Sequence, residues 1–491
     1  MHDILILNLP KFEANIIPGA PAILKGIANT LGLKSMIYDL NQDWVDLTVK
    51  HSLDRKTCLV GISDTNIPNA QVKSLVDHQL TTWASQILKM SPEYLVMSVF
   101  SYYGQYFCHQ LSRIISAHSD IKIVIGGSGL RVGLHADSDF GKFMKSQGFI
   151  YEFLIGDAEK VWLEFLCKEF QKSVEDTDVF LNPKYLPDFT DYDVTRYRAS
   201  AKRFPDNYLT DQIVVPLSGS KGCVRKCDFC DVHQYWKYEQ RKATHIAAEV
   251  REVMTVFQEC HVEFTDSLIN GNIKEFTQLL DQLIEIKQSW PSFTWSSQAI
   301  VRSPKLTPEA LYAKMAKSGM TCVHIGVETG SDRLRKRMNK KFTNADLDFV
   351  LSMLEKYGMQ CTLLLFVGHP EETFEDYEET VALFERYKKY ANRVIRIVQL
   401  NYPMAVNKGT PLYDKKAAKL NIKLTGDPIL WYSLSNPELT MAERVRRRLR
   451  LNAVLDDLGY TRPMDDASQM QELAVGYSKY KHAIKIINRT D

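Results

Sequence analysis

The amino-acid sequence predicts an α/β protein in which two regions of alternating strands and helices follow one another and a mostly helical segment comes last. Short β-rich apolar runs alternate with helical patterns in both regions, which is typical of parallel strands joined by crossover helices. A stretch marked by proline turns separates the two regions and indicates a domain boundary. The 491 residues allow roughly two to four domains of ordinary size.

The first region, residues 1–170, is predicted to form a parallel sheet covered by helices. Its predicted strands are Ile4–Asn8, Lys34–Asp39, Tyr94–Phe100, Lys122–Ile125 and Phe153–Ile155. Its predicted helices are Pro21–Leu31, Gln105–Ala117 and Glu159–Glu169. Ligands of open α/β sheets bind at the carboxyl ends of the strands, so small residues there are candidate binding residues, although a glycine can also simply turn the chain. These candidates are Ser98, Ser101, Gly126, Gly127 and Gly156.

Residues 171–211 are predicted to be an ordered connector, because the alternation stops and proline-containing turns appear. The second region, residues 212–402, is predicted to contain six strand–helix units and to form a partial or full βα barrel. Its predicted strands are Ile213–Leu217, Val262–Thr265, Phe293–Ala299, Cys322–Val327, Gln360–Val367 and Val394–Leu400. Its predicted helices are Thr244–Phe257, Lys274–Lys287, Thr307–Ser318, Asn344–Tyr357 and Phe374–Lys388. Residues 403–491 are predicted to cap the barrel, mainly with a helix near Met441–Leu458.

The composition excludes several classes of protein. Hydrophobic residues make up 45% and charged residues 24% of the chain, as in a globular protein with large cores. The net charge of +2 lacks the positive field of a general nucleic-acid binder, so nucleic acid is not an expected partner. The apolar stretches stay far below the ~20 residues that cross a bilayer, and the N-terminus lacks the pattern of an export signal. We therefore expect a cytoplasmic protein without membrane contact.

Five arginines crowd into the predicted C-terminal helix between Arg444 and Arg450. The apolar residues Val445, Leu449 and Leu455 recur there at helical spacing, which predicts that the arginines lie on the solvated face of an amphipathic helix. Contact with nucleic acid is the alternative interpretation.

Three of the nine cysteines, Cys223, Cys227 and Cys230, lie within eight positions directly after the first strand of the second region. In a βα barrel this loop lies at the catalytic end. Three thiolates on one short loop can bind three irons of a four-iron cluster and leave the fourth iron open. Zinc is the competing interpretation, but a closed zinc site needs four ligands, and His233 would have to supply the fourth. Chance clustering is disfavoured, because thiols beside basic residues oxidise readily when no metal protects them.

The Cys-x-x-x-Cys-x-x-Cys spacing, with the aromatic Phe229 before the last cysteine, resembles the motif of the radical S-adenosylmethionine (radical SAM) enzymes. The resemblance implies that Cys223, Cys227 and Cys230 ligate a four-iron four-sulfur cluster whose open iron is chelated by S-adenosylmethionine. One electron from the cluster then cleaves the sulfonium and leaves a 5′-deoxyadenosyl radical, which abstracts hydrogen from an unactivated position. It also implies an electron donor such as flavodoxin or ferredoxin.

Two residues after the fourth barrel strand extend this resemblance. Glu328 lies in a segment similar to the family's Gly-x-Glu-Ser and is implied to bind the ribose of S-adenosylmethionine. Lys340, twelve positions later, is implied to neutralise the carboxylate of the cofactor. Taken singly, Glu328 can equally be an ion-pair partner at the barrel rim, and Lys340 a solvated helix end.

Other strand ends carry further candidates for binding the cofactor. Asp266 stands where the family binds the amino group of S-adenosylmethionine, and the third barrel strand leads to Gln298 and Arg302. Gly368 begins a segment similar to the family's Gly-x-Pro-Gly-Glu-Thr turn, with Glu371 in place of the second glycine, and is implied to lie on the adenine side. The alternative for Asp266 is a helix N-cap, and Gln298 and Arg302 taken alone are more typical of structural residues.

The first region resembles the Rossmann-like cobalamin-binding domain that precedes the barrel in a large subgroup of radical SAM enzymes. The resemblance lies in the first strand with its Pro18-Gly19 loop, in Tyr38-Asp39, in Gly126-Gly127 and in the Gly-Asp-Ala-Glu segment that starts at Gly156, and it implies bound cobalamin. The Asp-x-His-x-x-Gly motif that supplies a lower cobalt ligand is replaced by Asn-Leu-Pro-Lys-Phe-Glu at 8–13, as in many radical members that leave the lower face of cobalt without histidine. The alternative is a domain that kept the fold and lost the ligand.

These resemblances imply a cobalamin-dependent enzyme that methylates an unactivated carbon, or cyclises or rearranges a small-molecule or natural-product substrate. One alternative is a tRNA methylthiotransferase, which needs three further N-terminal cysteines. Cys58, Cys108 and Cys167 are present but lack the Gly-Cys-x-x-Asn context of that group. The other alternative is a non-enzymatic, zinc-stabilised protein that binds RNA or protein.

Overall fold

The computed structural model describes residues 2–10, 13–53, 70–101, 104–130, 138–175, 177–204, 211–232, 237–401, 403–424 and 428–463. The chain divides into two compact units. The first comprises Met1–Pro216 and Ala248–His261, and the second comprises Leu217–Ala247 and Val262–Asp491. No helix in the described part of the chain is long and apolar enough to span a membrane.

The first unit contains a five-stranded parallel sheet with the strand order β2-β1-β3-β4-β5. Its strands are β1 (Ile4–Asn8), β2 (Ser35–Asp39), β3 (Tyr94–Ser98), β4 (Lys122–Gly126) and β5 (Glu152–Leu154). Its helices are α1 (Gly19–Thr30), α2 (Leu40–Lys50), α3 (Ala70–Met90), α4 (Gly104–Ser116), α5 (Asp139–Ser146), α6 (Ala158–Glu169) and α7 (Val194–Arg203). All five predicted strands are found, and the bounds differ by at most two residues.

Burial explains why β1 is an interior strand of this sheet. Every residue of Ile4–Asn8 is buried, as expected for a parallel strand covered on both faces by helices. The core beside it contains Trp44, Trp83 and Phe107, whose rings meet edge to face. The order 2-1-3-4-5 changes direction between β1 and β3, which is where ligands of doubly wound sheets bind.

The second sheet has six strands in the order β13-β12-β11-β10-β9-β6, so consecutive barrel strands are neighbours. Its strands are β6 (Val214–Leu217), β9 (His261–Phe264), β10 (Thr294–Gln298), β11 (Met320–Glu328), β12 (Gln360–Leu365) and β13 (Ile395–Leu400), while β7 (Ser220–Lys221) and β8 (Glu239–Gln240) form a short hairpin. Its helices are α8 (Ala243–Phe257), α9 (Ile273–Ser289), α10 (Glu309–Lys317), α11 (Asp332–Arg337), α12 (Asn344–Lys356) and α13 (Phe374–Arg386). The predicted partial (β/α)6 barrel is confirmed.

Strand β11 shows how the barrel separates its two faces. Val323 and Ile325 face the surrounding helices, where they line a small apolar cavity with side chains of α10 and α12. Side chains alternate along a strand, so His324 and Gly326 lie on the opposite, inner face, while a register shift between Gly326 and Glu328 interrupts the alternation at the strand end. The inner face of β11 therefore carries the polar side chains.

The C-terminal segment has three parts. A π-helical turn (Leu412–Lys416) comes first, an antiparallel pair of β14 (Ile422–Leu424) and β15 (Trp431–Ser433) follows, and helix α14 (Met441–Asp457) comes last. The short sheet is an addition to the predicted helical cap. The tail from residue 464 onwards lies outside the described residues.

The prediction that the arginines of α14 are solvated is wrong for three of them. Arg444, Arg447 and Arg448 are buried, whereas Arg446 is 73% exposed. Arg444 stacks on the Trp431 ring, with 4.0 Å between the guanidinium carbon and the ring centroid, and donates to the carbonyl of Trp431 (2.8 Å). Arg448 donates to the carbonyl of Leu400 at the end of β13 (3.0 Å). These guanidiniums satisfy carbonyls that would otherwise be buried without a donor, and they are therefore not available to bind phosphates.

Candidate active site

The cluster loop, residues 219–230, begins where β6 ends and is held at its start by Asp266. The Asp266 carboxylate accepts hydrogen bonds from the Gly219 N–H (2.9 Å) and from the Ser220 hydroxyl. Burial raises the pKa of Asp266 to about 6, although these hydrogen bonds act in the opposite direction. Asp266 therefore orients the entry to the cysteines, and it is not a helix N-cap.

The three thiols lie where this loop meets the barrel. Cys227 is buried, Cys223 and Cys230 are half-buried, and the Arg225 N–H donates to the Cys223 sulfur (3.3 Å). Burial raises the pKa of all three thiols, that of Cys227 to about 11, while the positive charge of Lys340 acts to lower each of them. A metal centre of high positive charge favours deprotonation of such buried thiols.

The spacing of the thiols indicates what kind of centre they fit. A single tetrahedral zinc ion holds its sulfurs roughly 3.8 Å apart. Among the described residues, only Asp228, His369 and Glu371 bring three possible metal ligands within 4.8 Å of one another, and the three thiols do not. Three thiols on one loop match the three protein ligands of a four-iron cluster with one open iron, whereas a closed zinc site needs a fourth ligand. His233, the candidate fourth zinc ligand, lies outside the described residues.

A turn that leads to Lys340 is docked on the cluster loop. The Asp228 N–H donates to the Met338 carbonyl (3.1 Å), and the Asn339 side-chain amide donates to the Lys226 carbonyl (2.8 Å). These two hydrogen bonds fix Lys340 next to the cysteines, as its electrostatic effect on their pKa values also indicates.

Glu328 and Lys340 form an ion pair in this place, with 2.9 Å between Oε1 and Nζ. Burial acts to lower the pKa of Lys340, but Glu328 and the nearby thiols raise it overall, so the ammonium stays charged. The β11–β12 register shifts between Gly326 and Glu328, and Glu328 has a left-handed backbone with φ of +65°. A bulge of this kind redirects a side chain at the end of a strand, and here it aims Glu328 at Lys340.

The absence of a side chain at Gly326 leaves room for this pair. A Cβ atom at Gly326 would lie 2.4 Å from Glu328 Oε1 and 3.0 Å from Lys340 Nζ. Both atoms are the ends of flexible side chains, so an added Cβ would push the pair out of its present position. The inner face of β11 thus forms a cradle in which the two charged groups remain next to the cluster loop.

The other predicted residues of the barrel lie at strand ends but have different surroundings. Phe229 packs edge to face on Phe366, with ring centroids 5.0 Å apart. Arg302 donates to the carbonyls of residues 270 and 271, and Gln298 ends β10 opposite His324. A Cβ at Gly368, whose φ is +87°, would lie 2.4 Å from Arg444 Cδ, so the close approach of Arg444 already explains that glycine.

The predicted residues of the first unit share one edge of its sheet. Ser98 and Gly126 are paired at the ends of β3 and β4, and Ser101 lies just beyond them. Gly127, with φ of +116°, would place a Cβ 2.5 Å from the Val99 carbonyl, so two strand-end loops cross closely there. Gly156 follows β5 with φ of +138°. Small residues and backbone line much of this edge, together with the exposed side chain of Phe100.

Three residues of the site carried no recognisable signal in the sequence. Asp228, His369 and Lys416 meet beside the cluster loop, with 2.7 Å between Lys416 Nζ and Asp228 Oδ2. Lys416 is 186 residues away from Cys230 in the chain and belongs to no motif. Neither the composition of the chain nor the spacing of residues along it indicates that these three side chains are in contact.

The family model of the radical SAM superfamily matches residues 217–384, which include the cluster loop, Glu328 and Lys340. Residues 217–384 therefore form a radical SAM domain. A four-iron four-sulfur cluster and S-adenosylmethionine are the cofactors of this superfamily, so the predicted cofactors of the barrel follow.

Curated relatives match part of the chain. The tRNA-2-methylthio-N(6)-dimethylallyladenosine synthase of Ehrlichia canis (strain Jake) is 27% identical over 192 residues, covering 35% of this chain and 40% of that protein. The enzyme of the same name from Treponema pallidum (strain Nichols) is 24% identical over 279 residues, covering 54% and 58%. The chain thus spans only about half the length of these relatives.

Two solved structures share the fold over most of the chain. The radical SAM methyltransferase TsrM from Kitasatospora setae, with cobalamin and a [4Fe-4S] cluster bound, has a TM-score of 0.57 at 15% identity and covers 91% of this chain and 82% of TsrM. The cobalamin-dependent radical enzyme OxsB has a TM-score of 0.56 at 14% identity and covers 84% of this chain and 55% of OxsB. At such identities the likeness shows the fold alone, and it confirms the predicted order of a Rossmann-like domain followed by a βα barrel.

Proposed function

We propose that this radical SAM enzyme binds cobalamin and methylates, cyclises or rearranges an unactivated carbon of a small-molecule or natural-product substrate. The observation that carries the radical chemistry is the convergence of three cluster-loop thiols with the buried Glu328–Lys340 pair. Only a cofactor with both a metal-chelating part and polar groups has use for thiols and a buried ion pair side by side.

In this proposal each group of the barrel site has one role. Cys223, Cys227 and Cys230 hold the cluster, which when bound supplies the electron that cleaves S-adenosylmethionine. The Lys340 ammonium pairs with Glu328 and offers its remaining protons to the carboxylate of the cofactor, and Glu328 accepts hydrogen bonds from the ribose hydroxyls. Asp266 keeps the cluster loop in position at its start.

Phe229 helps to keep water away from this chemistry. It packs against an apolar cluster that includes Phe366, Met404, Leu412 and Trp431. Apolar side chains next to the cysteines lower the local water content, which protects a reactive radical from side reactions.

The edge of the first sheet supports the proposed cobalamin site. The sheet has the order 2-1-3-4-5, and Ser98, Gly126 and Gly127 lie next to its change of direction. Small residues at these strand ends let the backbone approach a large flat cofactor closely, and the exposed Phe100 ring beside them offers an apolar surface. The segment after β1 contains no histidine, so cobalt is expected to lack an imidazole ligand from this loop.

Anaerobic purification tests the cluster. The protein should be brown, contain about four irons and four sulfides per chain, and release 5′-deoxyadenosine from S-adenosylmethionine when reduced. Zinc without iron would instead support the structural-zinc alternative and contradict the proposal.

Reconstitution with hydroxocobalamin tests the second cofactor. We expect stoichiometric binding with the absorption and paramagnetic resonance spectra of base-off cobalamin, because no imidazole is supplied. A histidine-ligated spectrum would contradict the interpretation of the first loop. Failure to bind, with cluster chemistry intact, would leave a radical SAM enzyme without cobalamin.

The curated relatives favour tRNA methylthiolation as a second candidate function. That reaction would need a second cluster on the N-terminal cysteines. Cys108 is fully buried in the core, and burial raises the pKa of its thiol to about 12, so it is not available as a ligand. Cys58 lies outside the described residues. Iron content near eight per chain would favour this candidate, and about four per chain would count against it.

A further inference from the structure

Asp228 stands between two of the proposed cluster ligands, Cys227 and Cys230, and its carboxylate points away from the solvent. The residue is 3% exposed. Lys416 Nζ lies 2.7 Å from one carboxylate oxygen, and His369 Nε2 lies 3.2 Å from the same oxygen. The Glu371 N–H donates to His369 Nδ1 (3.1 Å), so Nε2 carries the proton and donates to Asp228.

The Lys416 ammonium donates hydrogen bonds to three different segments of the chain. Besides Asp228, it reaches the Arg337 carbonyl (2.8 Å) and the Glu371 carboxylate (3.2 Å). The same π-helical turn makes a backbone contact, because the Leu412 N–H donates to the Asp228 carbonyl (2.7 Å). The C-terminal segment therefore contacts the middle of the cluster loop through both a side chain and the backbone. This segment lies beyond residue 384, where the match to the family model ends.

The group of side chains around Asp228 has the spacing of ligands in a divalent-cation site. Its negative charge, however, is already balanced by a lysine. Oxygen and nitrogen atoms of Asp228, His369 and Glu371 come within 4.8 Å of one another. The Lys416 ammonium contacts both carboxylates and supplies the positive charge that a cation would bring. The group is thus a buried ion-pair network, and such a network is sensitive to loss of one partner.

We propose that Lys416 is a positioning residue of the iron–sulfur site, which fixes the cluster loop and offsets the charge of Asp228 beside the cluster. This inference rests on the proposed ligand set of Cys223, Cys227 and Cys230. Residues that contact the metal ligands without binding the metal commonly change the affinity for the metal and its reduction potential. If Lys416 acts through the charge of Asp228, replacing either residue should shift the reduction potential of the iron–sulfur cluster in a predictable direction.

The sign follows from the charges. Loss of the Lys416 cation leaves more negative charge near the cluster, which disfavours the added electron and shifts the reduction potential to more negative values. Loss of the Asp228 anion acts in the opposite direction. Simple loosening of the fold would not produce opposite shifts in the two variants.

The test uses the full chain, purified anaerobically with its cluster, in the variants Lys416→Met, Lys416→Arg, Asp228→Asn and the double variant Lys416→Met/Asp228→Asn. Lys415→Met is the matched control, because the neighbouring Lys415 is exposed. Iron loss to a chelator is followed by absorbance, and the reduction potential by redox titration with paramagnetic resonance. Thermal unfolding is recorded for each variant.

We expect Lys416→Met to lose iron about tenfold faster than Lys415→Met and to shift the potential to more negative values. Lys416→Arg should retain most of the wild-type behaviour, Asp228→Asn should shift the potential to more positive values, and the double variant should return towards wild type. If Lys416→Met matches Lys415→Met in both iron loss and potential, the inference is overturned while the cluster assignment stands. If wild type itself binds no cluster, the proposed function falls and this inference falls with it.

Discussion

Two central strands of the molecule, β1 and β11, use parallel-sheet geometry in different ways. All of Ile4–Asn8 is buried and apolar up to its last residue, Asn8, whose amide donates to Asp39 (2.7 Å). Along Met320–Glu328 the inner face instead carries His324, then the gap at Gly326, then Glu328. A sheet covered on both faces leaves only its edge for chemistry, whereas a barrel exposes one whole face of each strand to its interior.

The residues just beyond the strand ends differ in the same way. At the last residue of β11 lies a charged pair beside the cysteines, whereas past β3 and β4 come small residues, the exposed Phe100 and closely crossing backbone. The barrel edge should therefore be sensitive to loss of charge, and the edge of the first sheet to added volume. Substitutions at the two edges, with matched controls, can break or sharpen this contrast.

The largest effect is expected for Cys227→Ala. A cluster with an open iron needs all three thiolates, so this variant should lose the brown colour and all cleavage of S-adenosylmethionine. Iron analysis and 5′-deoxyadenosine formation measure both. Cys167→Ala, on helix α6 of the first unit, is the control and should keep both properties. An intact cluster in Cys227→Ala would refute the assignment of the loop.

Loss of a buried arginine should have the next largest effect. Arg448 donates to the carbonyls of Leu400 and Asn401 at the end of β13. Arg448→Met leaves these acceptors unsatisfied and should reduce the free energy of unfolding by about 3 kcal/mol. Arg446→Met, at an exposed position of the same helix, should change it by less than about 0.5 kcal/mol. Chemical denaturation of the two variants side by side measures the difference.

Charge removal at the barrel edge should weaken cofactor binding and leave the cluster in place. Glu328→Ala and Lys340→Met should each reduce the affinity for S-adenosylmethionine by about 1.5–3 kcal/mol at nearly unchanged iron content. Lys341→Met, at the exposed neighbouring position, is the control. Equilibrium dialysis under anaerobic conditions gives the affinities. If both variants bind S-adenosylmethionine with wild-type affinity, the ion pair has only a structural role.

A larger side chain at the edge of the first sheet should reduce the stability of the protein. Gly127→Ala forces a Cβ against the Val99 carbonyl at a φ of +116° and should destabilise the protein by about 2 kcal/mol. Gly148→Ala is the control, because it also has a positive φ but no atom within 4 Å of the added Cβ. Equal destabilisation in the two variants would mean that backbone conformation alone, and not the crossing loops, accounts for Gly127.

The smallest effect concerns His324 on the inner face of β11. Burial lowers the pKa of His324 from 6.5 to about 4, and its Nε2 has no hydrogen-bond partner within the described residues. Between these two values the unfolded chain binds a proton that the folded chain does not, so stability decreases as the pH falls through this window. His324→Gln should remove about 1–2 kcal/mol of the stability difference between pH 7 and pH 5. Urea unfolding at both pH values measures it, and an unchanged difference would show that His324 is not responsible.

Several features could be predicted because neighbouring residues in the chain determine them. The alternation of apolar runs and helical patterns predicted the strands of both sheets, since each strand must bury its apolar side chains. The spacing of Cys223, Cys227 and Cys230 predicted a shared metal centre, since a loop of that length brings the thiols together whatever surrounds it. The positions of Glu328 and Lys340 followed from the resemblance to the family, and the structure brings them into contact.

The arginines of α14 show where such reasoning fails. Helical spacing of Val445, Leu449 and Leu455 predicted a solvated charged face, yet Arg444 and Arg448 are buried and Leu449 is 46% exposed. A guanidinium has enough donors to serve several buried carbonyls, and where those carbonyls lie depends on distant strands and loops. Periodicity within one helix contains no information about them.

The sequence by itself therefore determined the fold class, the positions of the strands along the chain and the three-cysteine loop, because these depend on local patterns of burial and on short spacing. Only the tertiary structure decided which charges meet. Asp266 reaches back to Ser220, Glu328 is turned by a bulge towards Lys340, and Lys416 joins Asp228 across 188 positions of the chain. Electrostatic and hydrogen-bond energies depend on distances of a few ångströms in three dimensions, and those distances are set by how whole elements pack.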